Sequence, residues 1–475
     1  MHHPLAALYR ARAVANMGMG CMMHSDYTGQ LCQETGTRMA AEGMSHCDMP
    51  LSGQDVVSWA TCDVSPLSRT VISSCFPNLR PQHLFKSVAS HLSSGLVRKV
   101  IEHTPPPIKK KALKLSRNTA DSTALIAQTE AAYAKQLAFI IENKGCLYSR
   151  ARKSECLLHG GHCYMTWQRS AGQRLLSWNQ SGPVCVAHTT YGCKLGLADP
   201  TTEAWSEWGV AMAVSDHDVV TCENSDTMKD HFTDIMVKGS AEPPSELAQP
   251  SKWFVVGFMQ NSTDHGFPSR RRRSWRNAIN QDRMLWLGPR NARDVQLHFN
   301  SLFRRSVELD ADCWLTSSES DRSAYISELA RSRGNFFRDG EAVDLKATMS
   351  ALSWQRFLGF KAEFERQKAF GFSGAIVGDC FQNISARKRV GSVMLSVTIS
   401  STMYSFSSGC LFTPDEIQFS QGWPLPSDPL FGHLLPFDRA ALGHSAERQL
   451  MGNGMHLCQV AANFLHLAVV FCTAL

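Results

Sequence analysis

The chain has 475 residues, 43% of them hydrophobic and 19% charged, so it can bury a full core and is not a disordered protein. This length allows one large domain or two to three ordinary ones. A net charge of +6 is a mild basic bias that permits contact with nucleic acid without demanding it. The sixteen cysteines follow no repeating framework, which argues against a disulfide scaffold and predicts reduced thiols inside a cell.

The first candidate ligand-binding feature is a turn that leads into a helical pattern over residues 35–43. Tyr27, Thr28 and Gly29 lie in this turn, where the free backbone N–H groups of a helix start can meet a ligand. Residues 56–62 then predict a buried strand with Asp63 at its end, the position where α/β folds bind ribose hydroxyls. An ordinary helix start and a helix-capping aspartate are the plain alternatives for these two features.

A change of character follows between residues 103 and 178. Prolines and a lysine run at 109–111 predict a solvated loop, and a helix is expected from about Ser122 to Asn143. Beyond it lie five thiol and imidazole side chains that could hold zinc: Cys146, Cys156, His159, His162 and Cys163. The alternative is a turn with incidental cysteines.

The next feature is a cysteine, Cys185, on a glycine-punctuated loop over residues 183–199. An α/β fold places a nucleophile on such a loop after a short apolar run. A core-facing helix is predicted over residues 203–215, and a strand beyond it ends in Glu223 and Asn224. The thiol and the carboxylate would then meet at the carboxyl edge of one sheet.

The sequence beyond residue 250 carries fewer interpretable features. Four arginines at 270–273 follow a strand and a loop, and taken alone they indicate a phosphate patch or a nuclear-import signal. Residues 289–405 are hard to interpret. The segment 455–475 is apolar, but it carries polar side chains that are costly in lipid, so a packed helix and no membrane span is expected: His456, Gln459, Asn463 and His466.

The order of these features resembles the cytosine-5 DNA methyltransferases. The loop at 183–199 is similar to the family's Pro-Pro-Cys-Gln-Pro-Phe-Ser-x-x-Gly-x-x-x-Gly-x-x-Asp, with Val184 in place of the second proline and His188 in place of the aromatic residue. Glu223 and Asn224 resemble the family's Glu-Asn-Val. Its Gly-x-Pro-Gln-x-Arg-x-Arg is matched by four residues: Gly266, Pro268, Arg271 and Arg273.

Three further stretches carry the resemblance. Residues 411–424 resemble the family's Leu-Thr-x-x-Glu followed by Gln-Gly-Phe-Pro, and Gly452-Asn453 resembles its closing Gly-Asn. The first motif, Asp-Leu-Phe-Ser-Gly-x-Gly-Gly, is similar to the turn at Tyr27 and Gly29. Leu31 and Cys32 replace its two later glycines.

The resemblance implies an α/β fold, a Rossmann-like methyltransferase sheet with helices on both faces, plus a smaller irregular target-recognition domain. The catalytic domain would cover residues 1–290, with an inserted basic and Cys/His segment near 103–178. The target-recognition domain would cover 291–409, and a return segment over 410–475 would complete the catalytic domain. The C-terminal helix would then pack beside the turn and helix near residues 27–43.

The resemblance also implies roles. Cys185 would add to cytosine, with Glu223, Asn224, Arg271 and Arg273 around the base. S-adenosylmethionine would donate the methyl group, held by a second set of residues: Tyr27, Thr28, Gly29, Asp63 and Asn453. DNA is the expected partner and the nucleus, or another intracellular site, the expected location. An RNA cytosine-5 methyltransferase and a catalytically silent nucleic-acid-binding paralogue are the alternatives.

Overall fold

A computed structural model describes residues 20–27, 29–47, 51–92, 100, 102, 104–105, 120–148, 152–169, 175–183, 196–226, 231–240, 251–335, 343–381, 390–438 and 442–473. The chain divides into two compact units, each with its own hydrophobic core. The first comprises residues 1–259, 273–302 and 461–475, and the second comprises 260–272 and 303–460. The expected catalytic domain over 1–290 and return segment over 410–475 are functional divisions and stay predictions.

The first unit is built on a mostly parallel sheet. The strands of this unit are β1 (Cys21–Asp26), β2 (Val56–Cys62), β3 (His83–Phe85), β4 (Lys153–Cys156), β5 (Gly161–Tyr164), β6 (Leu176–Ser181), β7 (Val219–Ser225), β8 (Trp253–Gln260), β9 (Arg273–Asn280) and β10 (Met284–Trp286). Strands β4 and β5 form a separate hairpin, and β10 lies outside the main sheet. The seven-stranded sheet has the order β3-β2-β1-β6-β7-β9-β8. Strands β3, β2, β1, β6 and β7 pair in parallel, and β9 lies antiparallel to β7.

Helices flank this sheet: α1 (Cys32–Ser45), α2 (Pro66–Ser73), α3 (Ala120–Glu142), α4 (Lys144–Leu147), α5 (Thr201–Val214), α6 (His231–Ser240) and α7 (Ala292–Phe303). The expected α/β fold is thus confirmed. Helix α5 is apolar on most of its surface and packs closely on α6, because glycines allow the approach. A Cβ added to Gly239 would lie 2.7 Å from the Cβ of Ala213.

The second unit combines helices with a small antiparallel sheet. Its elements are α8 (Glu319–Ser332), α9 (Ala351–Ala369), β11 (Val377–Asp379), β12 (Val390–Gly391), β13 (Met403–Ser405), β14 (Cys410–Leu411), α10 (Pro414–Phe419) and α11 (His444–Asn453). The strands lie in the order β12-β11-β13-β14. An aromatic cluster fills the space between α9 and this sheet, with the Phe357 ring edge-on to Tyr404 at 5.0 Å.

The start of α10 explains the sequence pattern over residues 411–424. The Thr413 side chain caps the helix, and the backbone N–H of Thr413 donates to the Glu416 carboxylate, so the two residues form a capping box. Pro414 occupies the first turn of the helix. Glu416 is fully buried, and Arg322 meets both of its carboxylate oxygens at 2.7 and 3.0 Å. The Thr-x-x-Glu spacing at 413–416 is therefore explained by a helix cap, and its glutamate is also held in a buried ion pair.

The last helix, α12 (Leu457–Val470), leads into β15 (Phe471–Thr473), which pairs with β10. Its residues from 461 onward belong to the first unit. There Phe464 stacks on Trp178 with ring centroids 5.3 Å apart, and Asn277 donates a hydrogen bond to Asn463 at 2.9 Å. The polar side chain in this apolar helix is thus bound to the sheet it covers.

Within the described residues, no helix has both the length and the apolar character needed to cross a membrane.

Candidate functional site

The site is placed by the strand order. The order of the strands reverses between the neighbours β1 and β6, which makes this position the switch point of the sheet. Ligands of doubly wound sheets bind at the carboxyl ends of the strands on either side of such a point. The carboxyl ends of β1, β2, β6 and β7 carry Asp26, Asp63, Pro183 and Glu223. Because these four strands are parallel, all four residues lie at the same edge of the sheet.

The turn after β1 has an unusual backbone. Tyr27, Gly29 and Leu31 all adopt left-handed conformations, with φ of 56°, 62° and 63°. This conformation costs a residue other than glycine about 1–2 kcal/mol. Leu31 stands where the resembled family has glycine, and its fully buried side chain offsets the strain by packing in the core. Thr28 lies outside the described residues.

Two of the predicted cofactor residues, Gly29 and Asp63, contact each other. The backbone N–H of Gly29 donates to Oδ2 of Asp63 at 2.9 Å, and the N–H of Ser65 donates to Oδ1 at 2.7 Å. Burial raises the pKa of Asp63, and these two backbone hydrogen bonds oppose the shift. A carboxylate has about four acceptor positions. Asp63 therefore keeps capacity for hydroxyl donors such as those of a ribose.

Tyr27 offers a second polar group, and its backbone N–H donates to the carbonyl of Cys62, the residue before Asp63, at 2.9 Å. Its hydroxyl oxygen is buried and has no hydrogen-bond partner among the described residues. A buried polar atom without a partner costs stability, which favours a ligand that completes the bond. The turn and Asp63 thus fit the nucleoside part of S-adenosylmethionine, which presents hydroxyl and amino groups.

Asp26 is a residue of this edge that the sequence did not single out. It accepts hydrogen bonds from Asn179 at 2.9 Å and Trp208 at 3.1 Å, and Nε2 of His91 lies 3.7 Å away. Because Asn179 lies on β6, Asp26 ties the two strands of the switch point together. The available signal was weak: a single carboxylate three residues after the short apolar run at 21–23.

Glu223 forms an ion pair with the first residue of β9. The antiparallel register places Ser225 opposite Arg273, which brings the arginine to the end of β7. Nε of Arg273 lies 2.8 Å from Oε1 of Glu223, and both side chains are largely buried. The two groups are close but not aligned as a hydrogen bond, so Oε1 is left without a hydrogen-bond donor among the described residues.

Asn224 contacts the residue at which the predicted Cys185 loop begins. Its amide Nδ2 donates to the backbone carbonyl of Pro183 at 3.1 Å, while its own Oδ1 accepts from the N–H of Ser225. At the other end of the loop, Asp199 lies just before α5 and accepts a hydrogen bond from the N–H of Thr201, the first residue of that helix, at 3.0 Å. Cys185 itself lies outside the described residues. Its loop leaves the sheet beside Glu223.

Two predicted residues, Arg271 and Asn453, belong to the second unit. The buried Arg271 guanidinium donates to the backbone carbonyls of Val397 and Gly454, so it braces the backbone there. Asn453 is exposed at the end of α11. The neighbouring position 452 has room only for glycine, because a Cβ added to Gly452 would lie 2.1 Å from the backbone nitrogen of Ile399. Roles of Arg271 and Asn453 at a base or cofactor stay predictions.

The predicted zinc set needs correction. Three of its members, Cys156, His159 and Cys163, come together, and they are joined by His83, which the sequence did not indicate. His162 is excluded because it pairs with Glu155 across the hairpin, so its side chain lies on the opposite face from Cys163. Cys146 is exposed on α4 and lies outside the cluster.

The fold defines an α/β protein whose candidate ligand site lies at the switch point of its sheet. No protein-family model matches the sequence, and no curated protein matches it. Similar solved structures include a DNMT2 mutant of Spodoptera frugiperda, with 11% identity over 94% of this chain and 99% of that one and a TM-score of 0.40. Others are the Entamoeba histolytica methyltransferase EhMeth (10%, 94% and 98%, TM-score 0.44) and the S. pombe Dnmt2 methyltransferase (11%, 94% and 98%, TM-score 0.42). The activity proposed below therefore rests on the residues of this chain.

Proposed function

We propose that this chain is an S-adenosylmethionine-dependent methyltransferase that methylates carbon 5 of cytosine in DNA through a covalent adduct with Cys185. The observation that carries the proposal is the buried Glu223, whose carboxylate forms an ion pair with Arg273 at the end of β7. It lies at the sheet edge from which the Cys185 loop departs. The reaction itself is proposed from the order of the motifs that resemble those of the cytosine-5 DNA methyltransferases.

The chemistry needs a thiolate and an acid around one ring. Carbon 5 of cytosine is a poor nucleophile until a thiolate adds at C6 and moves electron density to C5. Cys185 would form that C6–S bond. Once C5 carries the methyl group, a base such as water takes the C5 proton and the C6–S bond breaks, which restores the thiolate. To be reached at all, the base must leave the stack of the duplex.

Glu223 would act at N3 of the ring. A carboxyl group there can donate a proton or a hydrogen bond as the adduct forms, which stabilises the negative charge that addition creates. Arg273 offsets the charge of the buried carboxylate and reaches the same position from β9, where it can bind the base carbonyl. Asn224 would position both the strand end and the loop through its bond to Pro183.

S-adenosylmethionine supplies an electrophilic methyl group when bound. Asp63 would accept hydrogen bonds from the ribose hydroxyls, and Gly29 holds the orientation of that carboxylate. The unpartnered Tyr27 hydroxyl would bind a polar atom of the same ligand.

A second candidate function is a catalytically silent nucleic-acid-binding protein. The observation in its favour is that Leu31 and Cys32, both fully buried, occupy positions where the resembled family has glycines next to the cofactor. Side chains there can restrict the approach of a ligand to the backbone. An RNA methyltransferase is a third reading that changes only the substrate.

Methyl transfer from labelled S-adenosylmethionine to duplex DNA and to RNA, measured side by side, tests the proposal. We expect label in DNA, its loss in Cys185→Ser because an alcohol is too weakly ionised to add to C6, and a rate lower by orders of magnitude in Glu223→Gln. Cys146→Ser, at an exposed cysteine, is the matched control and should keep full activity.

Three outcomes would redirect the proposal. Label in RNA alone would change the substrate. Binding of nucleic acid without transfer to either polymer would support the silent protein. Full activity in Cys185→Ser would overturn the covalent mechanism.

A further inference from the structure

Four metal-ligating side chains converge on the edge of the first unit's sheet. His83 begins β3, Cys156 ends β4, His159 lies in the hairpin turn and Cys163 lies on β5. One donor atom from each of these residues lies within 4.8 Å of every other. None of the four takes part in the proposed methyl transfer.

We propose that His83, Cys156, His159 and Cys163 bind a structural zinc ion. This inference does not depend on the proposed function. Four nitrogen and sulfur ligands with no open position are typical of structural zinc, whereas catalytic zinc keeps one position for water or substrate. The two thiols would lose their protons on binding, so the two thiolates and Zn²⁺ form a site without net charge.

The distances match a tetrahedral ion. Zinc–sulfur bonds of about 2.3 Å and zinc–nitrogen bonds of about 2.0–2.1 Å imply sulfur–nitrogen separations of about 3.6 Å across a tetrahedron. Nδ1 of His159 lies 3.4 Å from Sγ of Cys156 and 3.3 Å from Sγ of Cys163. Nδ1 of His83 lies 3.9 Å from Sγ of Cys156. The three separations scatter by about 0.3 Å around the expected value.

The hairpin's register puts both cysteines on one face. Ser154 pairs with Cys163 and Cys156 pairs with Gly161. Side chains alternate along each strand and cross-strand partners share a face, so Cys156 and Cys163 point to the same side. Gly160, with φ of 64°, closes the turn that brings His159 back over them, and its N–H donates to the carbonyl of Cys156 at 2.9 Å.

A backbone contact brings the hairpin to His83. The N–H of Leu157 donates to the carbonyl of Leu84 at 2.8 Å, so the turn is joined to β3 one residue after His83. The imidazole of His83 is held edge-on by Trp59, with ring centroids 4.6 Å apart. The fourth ligand therefore comes from a strand of the main sheet, 73 residues before Cys156.

The ion would have a defined structural task. Strands of four residues make a hairpin that is marginal on its own in water. Zinc would fasten it to β3, the edge strand of the sheet, whose Phe85 carbonyl accepts a hydrogen bond from the N–H of Asp63 at 3.3 Å. Loss of the metal should therefore loosen the sheet edge next to the proposed cofactor carboxylate.

Metal analysis of the purified full chain tests the site. We expect one zinc per chain, released when the thiols are blocked, and lost on Cys163→Ala and His83→Ala. The matched controls are Cys146→Ala and His162→Ala, which remove the same side-chain types outside the cluster and should keep the full zinc content. Cobalt substitution should give the visible absorption of a tetrahedral ion with two thiolate ligands.

Variants that keep a ligand separate metal loss from misfolding. His83→Cys should retain the metal and strengthen the sulfur-to-cobalt charge-transfer absorption, because a third thiolate joins the ion. Three results would each overturn the proposal: no stoichiometric metal in the wild-type chain, equal metal loss in the control variants, or a Cys156–Cys163 disulfide in place of the metal in protein purified without oxidant.

Discussion

Glu207 on α5 is a buried carboxyl group whose protonation should set the pH dependence of stability. It is 4% exposed, and burial together with the charge of Glu203 raises its pKa from 4.5 to about 8. The folded protein therefore holds a proton on Glu207 at neutral pH, whereas the unfolded chain has lost it. Glu207→Gln replaces the acid by a neutral side chain of nearly the same shape.

The sign follows from which state binds the proton. Between the unfolded pKa and the folded pKa, the folded state binds one proton more, so the free energy of unfolding falls as pH rises through this window. Each pKa unit corresponds to about 1.4 kcal/mol. A pH of 7 lies about 2.5 units above the pKa of Glu207 in the unfolded chain. Ionisation of Glu207 in the unfolded chain therefore lowers the free energy of unfolding at pH 7 by about 3 kcal/mol.

Urea unfolding, followed by fluorescence of buried tryptophans such as Trp208, measures the effect. Wild type and Glu207→Gln should have similar free energies of unfolding near pH 5, and the variant should be more stable by about 3 kcal/mol at pH 7. Glu203→Gln is the control and should shift the curve only slightly. The reasoning is wrong if wild type and Glu207→Gln show the same pH dependence between about pH 5 and 8.

Three further substitutions test other parts of the structure. Asp63→Asn should weaken S-adenosylmethionine binding by about tenfold or more in calorimetry, because an amide is a poorer acceptor for two hydroxyls, and unchanged affinity would contradict its role. Arg322→Met should lower the free energy of unfolding by about 3–5 kcal/mol, since it leaves Glu416 charged and buried; a change under about 1 kcal/mol would refute this. Gly452→Ala should lower the melting temperature, because its Cβ would overlap the backbone at Ile399, and an unchanged melting temperature would show that the helix can move away.

Elements that depend on local pattern were predictable from the sequence. The strand expected at 56–62 is β2 (Val56–Cys62), and the helix expected at 203–215 is α5 (Thr201–Val214). Both signals come from side chains a few residues apart. The helix expected at 35–43 begins earlier, at Cys32, because Leu31 takes the left-handed conformation that starts it.

Contacts between segments that are distant in the sequence could not be predicted from local pattern. Whether Cys163 or His162 faces Cys156 depends on a one-residue register between β4 and β5, which the spacing of the cysteines does not determine. The addition of His83 depends on where β3 lies in the sheet. The bond from Asn224 to Pro183 likewise follows from the parallel pairing of β6 and β7, and it is the contact that brings the predicted carboxylate and the thiol loop to one edge.

The stacking of Phe464 on Trp178 has a consequence for how the chain is made. A ribosome releases the sheet strands hundreds of residues before the helix that covers them, and β1 must itself wait for β6, since Cys21 pairs with Leu176. Until then the face around Trp178, where Asn277 lacks its bond to Asn463, stays open to water and to other nascent chains. Pairings of such long sequence separation form slowly. Completion of this core therefore has to wait until α12 has been synthesised, and chaperone demand and refolding yield should depend on the arrival of that helix.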